Sequence, residues 1–342
     1  MNDLQNNLII VSKKADSSID SISKAIEKAK LIRSKDSKSG IKIYIEEGIY
    51  SESVYIDINN IILEGKKESD VIITNNLSAF DILPDGSKRG TFRTATLHLA
   101  SSNIKLKNLT IENSSGNGKE YGQCVALYCD GDKINVENCI LKGNQDTLFT
   151  APLPQSDKYG SNVGLGPRAA YERKHCRQIF YNCTIFGNID FIFGGATALF
   201  YLCNIFVLDD LQDRDTKAYI AAPCTVVDLE YGFLFYKCKI DGNVENKSIY
   251  LARPWRLGAK SVFFDCDINA NLVKNGSFHD WNKPIAQIKS FFALDNISST
   301  DLELVEWAKK LNDKQKKEYL IGYYKYLFSD NPKKWIADKE NI

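Results

Sequence analysis

FYNCTI at residues 180–185, FYLCNI at 200–205 and FYKCKI at 235–240 are three copies of one short pattern, and this pattern decides the fold. Two further copies read VENCIL at 136–141 and FFDCDI at 263–268. Each copy has an aromatic or apolar residue, two variable positions, a cysteine, one variable position and an aliphatic residue. The copies begin 20 to 44 residues apart, so one or two coils of a solenoid fit between them.

Each copy has the length of a strand, and its inward side chains can stack on the equivalent side chains of the next coil. Such stacking buries a continuous core that no single repeat could build. Earlier strand-like stretches, separated by Gly, Asn and Asp turns, fit the same scheme: IKIYI at 41–45, SVYIDI at 53–58, NIILEG at 60–65 and NIKLKNLTI at 103–111. The sequence therefore predicts an all-β protein with a parallel β-helix.

A β-sandwich is the alternative fold, because the irregular spacing of the copies is also compatible with ordinary strands. The repeated cysteine favours the solenoid. A cysteine side chain is small enough to stack at a tight interior corner, whereas a sandwich gives no reason to repeat it at one position of the pattern.

Two helical segments are predicted to frame the strands. The first spans residues 18–32, and we expect it to cap the open end of the core with an apolar face formed by Ile19, Ile22, Ile26 and Ala29. Near the other terminus, Thr300 and Glu303 have capping-box spacing. Apolar residues then continue at helical period at Leu304, Val305, Ala308 and Leu311.

These elements predict a single domain over residues 1–342. A catalytic solenoid is expected at 7–285, and a C-terminal helical tail at 286–342 is expected to pack on it. Residues 151–177 form a polar stretch with Gly and Pro and little periodicity. We interpret this stretch as a loop that borders a cleft.

The composition excludes several classes of function. Lys and Arg total 44 against 43 for Asp and Glu, so the formal net charge is +1 and the sequence has no basic arm for nucleic acid. The nine cysteines include no CxxC pair, which argues against a zinc site and gives no disulfide framework. We therefore expect buried, reduced cysteines, no metal and no other cofactor.

The start of the chain has only four consecutive apolar residues, Leu8–Val11, which is too short for a signal-peptide core or a membrane span. Reduced cysteines suit a reducing compartment. These features favour a cytoplasmic protein with no membrane partner. A secreted protein whose leader is absent from this chain is the alternative.

Four segments beside predicted strands carry candidate chemistry: YGQCVALY at 121–128, GNQDTLF at 143–149, NIDFIFGGATALF at 188–200 and YLARPWR at 250–256. Taken singly, each has a structural interpretation, since an Asp before Thr can cap a turn and an RPW triplet can form a surface bend. Together they closely resemble the pectin methylesterases. Upstream, IYIEEGIYSESVYI, IILEG, TFRTATLHL and NLTIENSSG also resemble that family in the same order, and the resemblance covers roughly residues 7–281.

The resemblance implies a single-stranded, right-handed parallel β-helix. It also implies hydrolysis of galacturonate methyl esters in pectin or oligogalacturonides with release of methanol. The expected partner is therefore methyl-esterified homogalacturonan or its oligomers, and we expect the protein to act as a monomer.

A serine hydrolase is disfavoured by the residues themselves. The chain has three histidines, His98, His175 and His279, and none lies in a GxSxG-type elbow. Two carboxylates can act instead if their environments separate their pKa values, so that one stays ionised as the nucleophile while the other stays protonated as the acid.

By resemblance, Asp190 is the nucleophile that attacks the ester carbonyl, and Asp146 is the acid that protonates the departing methoxide and then activates water. Arg253 is expected to pair with Asp190 and to keep it ionised. Because no such partner is evident for Asp146, the negative charge of Asp190 is expected to raise the Asp146 pKa. The amides of Gln123 and Gln145 match the glutamines that stabilise the oxyanion in the family.

The resemblance also implies a set of substrate-binding residues: Trp255, Tyr128, Phe193 and Thr96. Aromatic rings suit this role because the C–H faces of sugars pack on them. Two positions depart from the family pattern. Ala252 replaces the usual glycine before Arg-Pro-Trp, and Phe149 replaces the tyrosine that commonly follows QDTL, so both are expected to affect subsite preference.

Two other functions stay open at this point. A polysaccharide lyase can share the fold and act on the same polymer, but it usually needs a carboxylate cluster for calcium, and the sequence shows none. A non-catalytic pectin-binding protein could keep the groove without turnover. The presence together of both aspartates, both glutamines and the arginine argues against that alternative.

Overall fold

A computed structural model describes residues 7–14, 17–36, 39–154, 166–168, 171–209, 214–295 and 302–329. Its strands are, in chain order, β1 Leu8–Val11, β2 Ile41–Ile45, β3 Gly48–Ser51, β4 Val54–Ile56, β5 Ile61–Gly65, β6 Val71–Asn75, β7 Leu97–Leu99, β8 Ile104–Lys107, β9 Thr110–Asn113, β10 Leu127–Cys129, β11 Ile134–Glu137, β12 Ile140–Lys142, β13 Leu148–Thr150, β14 Arg177–Tyr181, β15 Thr184–Gly187, β16 Ile189–Gly194, β17 Thr197–Tyr201, β18 Asn204–Val207, β19 Ala218–Pro223, β20 Phe233–Tyr236, β21 Lys239–Gly242, β22 Ile249–Ala252, β23 Lys260–Phe264, β24 Asp267–Ile268, β25 Phe291–Asp295 and β26 Lys309–Leu311.

The helices of the described residues are α1 Ile22–Lys35, α2 Gly118–Tyr121, α3 Pro284–Lys289 and α4 Asp313–Leu327, and a 3₁₀ turn lies at Thr91–Arg93. Within the part of the chain that the structure describes, no helix has both the length and the apolar character needed to cross a membrane.

The strands form three parallel sheets that run the length of the molecule. The eleven-stranded sheet has the order β1-β2-β5-β8-β11-β14-β17-β20-β23-β25-β26, the eight-stranded sheet runs from β24 to β3, and the seven-stranded sheet runs β22-β19-β16-β13-β10-β7-β4. Successive strands of one sheet are therefore separated in sequence by one coil. The molecule is a right-handed parallel β-helix, which confirms the predicted fold class.

The cysteine pattern marks one corner of consecutive coils. Each copy begins in the last residues of one strand, and these strands are β11, β14, β17, β20 and β23. They are neighbours in the eleven-stranded sheet, so a single coil separates each copy from the next. All five cysteines are buried where the chain turns toward the eight-stranded sheet. Thiols bond to the preceding coil: Cys203 Sγ donates to the Phe180 carbonyl at 3.3 Å, and Cys238 Sγ donates to the Phe200 carbonyl at 3.3 Å.

The residue before each of these cysteines has a left-handed backbone, with φ between 49° and 55°: Asn138, Asn182, Leu202, Lys237 and Asp265. A left-handed residue makes the sharp turn between strands. The side chain that follows enters the corner, where the small thiol fits. Cysteine is repeated there for a steric reason, as the sequence predicts.

Phenylalanines of the same pattern stack through the core from coil to coil. The ring centroids of Phe180 and Phe200 are 4.8 Å apart, those of Phe200 and Phe235 are 4.6 Å apart, and those of Phe235 and Phe263 are 4.5 Å apart. Parallel register places equivalent residues directly above one another, and the strand spacing of about 4.8 Å suits ring stacking. The repeated aromatic residue therefore joins neighbouring coils.

Helix α1 covers the N-terminal end of the core, as predicted, although it begins later than the predicted residue 18. Ser21 caps it by accepting a hydrogen bond from the Lys24 amide. The predicted apolar face is buried, and Ala25 belongs to it as well. The Glu52 carboxylate accepts hydrogen bonds from the Ile22 and Ser23 amides at the positive end of the helix.

The prediction for the C-terminal tail is partly wrong. Thr300 lies outside the described residues, and residues 302–311 form no helix. The helix is α4, which begins after a capping box formed by Asn312 and Gln315. The residues before α4 have irregular or extended backbone. Their apolar side chains pack against the core, among them Leu304, Val305 and Ala308.

The described part of the tail, residues 286–295 and 302–329, packs on the solenoid. Strands β25 and β26 extend the eleven-stranded sheet beyond the predicted boundary at residue 285. Helix α4 then buries Tyr323 and Leu327 against Leu234 and Val262 on the outer face of that sheet. The helical period of the apolar residues at 304–311 did not indicate that the chain first adds two strands to this sheet.

Candidate active site

One cavity of about 380 Å³ lies on the outer face of the seven-stranded sheet. Its walls come from four adjacent strands and the chain beside them, β13, β16, β19 and β22. All five predicted catalytic residues line it together: Asp146, Asp190, Arg253, Gln123 and Gln145. The coils thus bring together side chains that lie up to 130 positions apart in the sequence.

Asp190 and Arg253 form a bidentate ion pair. Arg253 Nε donates to Asp190 Oδ1 at 2.7 Å, and Arg253 Nη2 donates to Oδ2 at 2.6 Å. Asp190 lies in β16, and Arg253 follows β22, two strands away across the sheet. Both side chains are largely buried, at 11% and 14% exposed, so solvent screens the pair weakly.

The Arg253 guanidinium is also held between two aromatic rings. Its Cζ atom is 3.6 Å from the Tyr219 ring centroid and 3.7 Å from the Trp281 centroid. Burial tends to lower the pKa of Arg253, but the charge and hydrogen bonds of Asp190 outweigh this and raise it. The guanidinium is therefore a fixed cation that holds the Asp190 carboxyl group through two hydrogen bonds.

Asp146 lies in a different electrostatic environment from Asp190. Burial raises its pKa well above the usual range, the negative charge of Asp190 raises it further, and Arg253 offsets only part of the effect. This carboxyl therefore holds its proton to a higher pH than an ordinary aspartate. The roles of Asp146 as acid and Asp190 as nucleophile stay predictions.

Both aspartates have a left-handed backbone, with φ of 65° at Asp146 and 52° at Asp190. The residues are at equivalent places in successive coils, and the Asp146 amide donates to the Ile189 carbonyl at 3.1 Å. At Asp190 the register of β16 also shifts, between Ile189 and Ile192. Aspartate tolerates this conformation better than most residues, and such outliers are often found at functional sites.

The predicted oxyanion donors lie on the same wall as Asp146. Gln145 precedes it directly, and Gln123 lies in the chain that leads into β10. Gly118 leaves room for the Gln145 side chain, because a Cβ atom added there would collide with Gln145 Oε1. Close packing therefore limits where this amide can point.

The four predicted substrate contacts divide into two pairs. Trp255 and Phe193 line the cavity, as expected of sugar-binding rings. Tyr128 and Thr96 are fully buried and do not line it, so the structure does not bring these two residues to the cavity. Tyr128 stacks on His98 at 3.9 Å, and Thr96 Oγ1 donates to the Glu112 carbonyl at 2.8 Å.

The two departures from the family pattern are also buried. Ala252 ends β22 opposite Ala221, and its side chain does not reach the cavity wall. The ring centroid of Phe149 lies 4.6 Å from that of Tyr128 and 4.9 Å from that of Phe193. A hydroxyl at Phe149 would therefore point into an apolar layer.

Further wall residues were not predicted, most notably Phe92, Trp281, Arg256 and Lys283. Arg256 lies 4.8 Å from the Trp255 ring centroid and Lys283 lies 4.7 Å from that of Trp281. These contacts place two cations at the rim beside the aromatic wall. An aromatic residue close to a basic residue, as in PWR at 254–256 and DWNK at 280–283, was the available sequence signal.

The family model described as pectinesterase matches residues 8–158 and 169–320 of this chain. The chain belongs to the pectinesterase family. Pectinesterase QRT1 of Arabidopsis thaliana is 31% identical over 292 residues, which cover 82% of this chain and 68% of that protein. The probable pectinesterase/pectinesterase inhibitor 36 of the same plant is 31% identical over 248 residues, which cover 70% of this chain and 41% of that longer protein.

A solved pectin methylesterase in complex with a hexasaccharide shares the fold, with a TM-score of 0.71 and 22% identity over 97% of both chains. As a member of the pectinesterase family, the chain is a carboxylic ester hydrolase. The cavity that holds both aspartates and the arginine lies within the matched residues.

Proposed function

We propose that this chain hydrolyses methyl esters of galacturonate residues in pectin-derived chains, and that it uses Asp190 as nucleophile and Asp146 as acid and base. One observation carries the proposal. A single cavity contains an aspartate held by a bidentate arginine and a second aspartate whose pKa is raised. A carboxyl with a raised pKa beside a carboxyl held by a guanidinium suits the roles of acid and nucleophile.

In the first step, an Asp190 carboxylate oxygen attacks the carbonyl carbon of the ester. The carbonyl electrons move to oxygen, where the amides of Gln123 and Gln145 donate hydrogen bonds to the oxyanion. As the carbonyl forms again, the bond to methoxide breaks and Asp146 gives it a proton. Methanol leaves, and the substrate acyl group stays bound to Asp190 as an anhydride.

In the second step, the now ionised Asp146 takes a proton from water, and the hydroxide adds to the acyl carbon. The bond to Asp190 breaks, so Asp190 regains its charge beside Arg253. Asp146 is protonated again, and the product is the free acid of galacturonate. Each turnover therefore consumes one ester and one water and releases one methanol.

The cavity suits a sugar substrate. Trp255 and Phe193 offer apolar ring faces, while Arg256 and Lys283 offer positive charge to carboxylates on neighbouring galacturonates. The related methylesterase that binds a hexasaccharide supports a saccharide chain as the ligand. A methyl ester itself is neutral, so it can approach Asp190 without charge repulsion.

The products of the reaction distinguish a lyase from an esterase. Incubation of the enzyme with esterified oligogalacturonides should release methanol, with no absorbance from an unsaturated sugar, and a calcium chelator should not change the rate. An unsaturated product that is lost on chelation would overturn the proposal. Among the residues that the structure describes, no cluster of three His, Cys, Asp or Glu side chains could hold a metal ion.

We also propose that the protein works in a reducing compartment, for which the cytoplasm is the first candidate. Its nine cysteines are all buried and unpaired. Free thiols persist best under reducing conditions. Fractionation of the native source, with activity measured in each fraction, tests this assignment, and activity confined to the exterior would contradict it.

A further inference from the structure

A row of rings continues from the cavity along the outer face of the seven-stranded sheet. On five adjacent strands, directly opposed positions carry Tyr55, His98, Tyr128, Phe149 and Phe193. Neighbouring ring centroids are 5.0, 3.9, 4.6 and 4.9 Å apart in that order. Phe193 is part of the cavity wall, so the row begins at the active site.

This row faces away from the solenoid core. Side chains alternate across a strand, and the residues on either side of His98, Leu97 and Leu99, belong to the core. Adjacent strands lie about 4.8 Å apart, so the row runs across the strands, along the axis on which the strands of the cavity are stacked. A saccharide chain that continued in this direction from the catalytic aspartates would cross these rings.

The rings are nevertheless covered. Phe149 and Tyr128 have no exposed surface and His98 is 4% exposed, whereas Tyr55 at the far end is 36% exposed. A sugar chain therefore cannot reach the middle of the row. The groove ends close to Phe193 on this side.

Phe92 forms the part of the cover next to the cavity. Its ring centroid lies 5.3 Å from that of Phe149 and 6.5 Å from that of Trp255. Gly166 packs directly behind it, since a Cβ atom at Gly166 would lie 2.8 Å from Phe92 Cβ. Two segments that are distant in sequence thus meet over the ring row.

Arg168 fixes the outer part of the cover to the sheet. Its Nε donates to Asp130 Oδ2 at 2.9 Å, and Asp130 directly follows β10. The guanidinium carbon also lies 4.1 Å from the Tyr171 ring centroid. The Asp130 side chain is 16% exposed and that of Arg168 is 23% exposed, so this pair is partly shielded from solvent.

We propose that these four residues, Phe92, Gly166, Arg168 and Tyr171, form an end wall that closes one end of the substrate groove. The enzyme then acts on methyl esters near one end of a galacturonate chain, and it prefers short esterified oligomers to the interior of a polymer. The rest of the cavity wall includes Trp255 and the basic rim of Arg256 and Lys283. This inference rests on the proposed esterase function and defines its substrate class.

The first test needs only the wild-type enzyme. Fully methylated hexagalacturonate is treated until about one ester per molecule is lost, and tandem mass spectrometry locates the free carboxyl. The end wall predicts that the first loss falls on the one or two residues nearest one end. Loss spread evenly over internal residues would overturn the inference.

The second test alters the wall. The kcat/KM per ester group is measured on trimethyl trigalacturonate and on highly esterified polymer, for the wild type and for Arg168→Ala combined with Tyr171→Ala. The wild type should favour the trimer at least tenfold, and the double variant should reduce that preference at least fivefold. An unchanged preference in a folded double variant would contradict the end wall.

Lys42→Ala serves as the matched control, because Lys42 forms a comparable ion pair with Glu64 at 2.9 Å on the eleven-stranded sheet. This variant should keep the wild-type preference. The outcomes also separate the two proposals. Equal methanol release from trimer and polymer would overturn the end wall alone, whereas no methanol from either substrate would overturn the proposed function.

Discussion

At the scale of single residues, two aspartates of the same type acquire different chemistry from their neighbours. Arg253 donates two short hydrogen bonds to Asp190. The pKa of Asp146, in contrast, is raised by burial and by the negative charge of Asp190. The sequence motifs predicted the pairing of Arg253 with Asp190 and the raised pKa of Asp146. They could not show that Tyr219 and Trp281 hold the guanidinium on both faces, because no short motif contains both rings.

A buried acid with a raised pKa makes stability depend on pH. Asp146 contributes stability below its unfolded pKa of about 3.9, and this contribution is lost as pH rises through the higher folded pKa. Asp146→Asn has no proton to lose there. The melting temperature of the variant relative to wild type should therefore be higher at pH 7 than at pH 4, while methanol release falls.

Thermal unfolding of both proteins between pH 4 and pH 8 measures this difference. Glu47→Gln is a suitable control, since it removes one carboxylate far from the cavity, beside strand β3. A difference between Asp146→Asn and wild type that does not change with pH would contradict the raised pKa.

At the scale of elements, each copy of the cysteine pattern was predicted to be one strand, but it spans the end of one strand and the start of the next, as FYNCTI does between β14 and β15. The pattern did predict a tight corner at the cysteine. It failed where cysteine is absent. NIKLKNLTI at 103–111 was interpreted as one strand but forms β8 and β9, with Asn108 at φ 56° and Leu109 in the cysteine position. Apolar residues continue through that corner, so the hydrophobic pattern alone gave no sign of the turn.

The corner explanation predicts a size limit for the side chain at Cys238. This residue is fully buried at a corner between the coils of Cys203 and Cys266. Cys238→Leu should destabilise the fold by about 1–3 kcal/mol through overpacking, more than Cys238→Ala. Melting temperatures of the two variants give the comparison, and a leucine variant as stable as the alanine variant would contradict the explanation.

At the scale of the whole molecule, the cavity and the contact of the C-terminal helix lie on different sheets. The cavity is on the seven-stranded sheet, and helix α4 covers the eleven-stranded sheet. The sequence predicted the tail contact but not its chain path, because a helical period recurs by chance in residues 304–311. The motifs predicted residues that line one cavity, whereas a wall residue such as Trp281 lies outside those motifs and needed the fold.

This separation predicts that damage to α4 lowers stability without changing the chemistry. Tyr323 is fully buried, and its hydroxyl donates to the Gly232 carbonyl at 3.1 Å. Tyr323→Ala should cost about 3–5 kcal/mol, while kcat per folded molecule at low temperature stays near the wild-type value. Lys325→Ala, at an exposed position of the same helix, should change neither quantity. A large fall in kcat for folded Tyr323→Ala would show that the tail takes part in the site.

The most direct test of the central claim is methanol release by Asp190→Asn. The amide keeps the size of the side chain but cannot attack the ester, and it removes the negative charge opposite Arg253. The account predicts a fall in kcat of at least about 10³-fold, with the Kd for an esterified oligogalacturonide changed only a few-fold in the same preparation. Methanol release within tenfold of the wild type would contradict the assignment of Asp190 as the nucleophile.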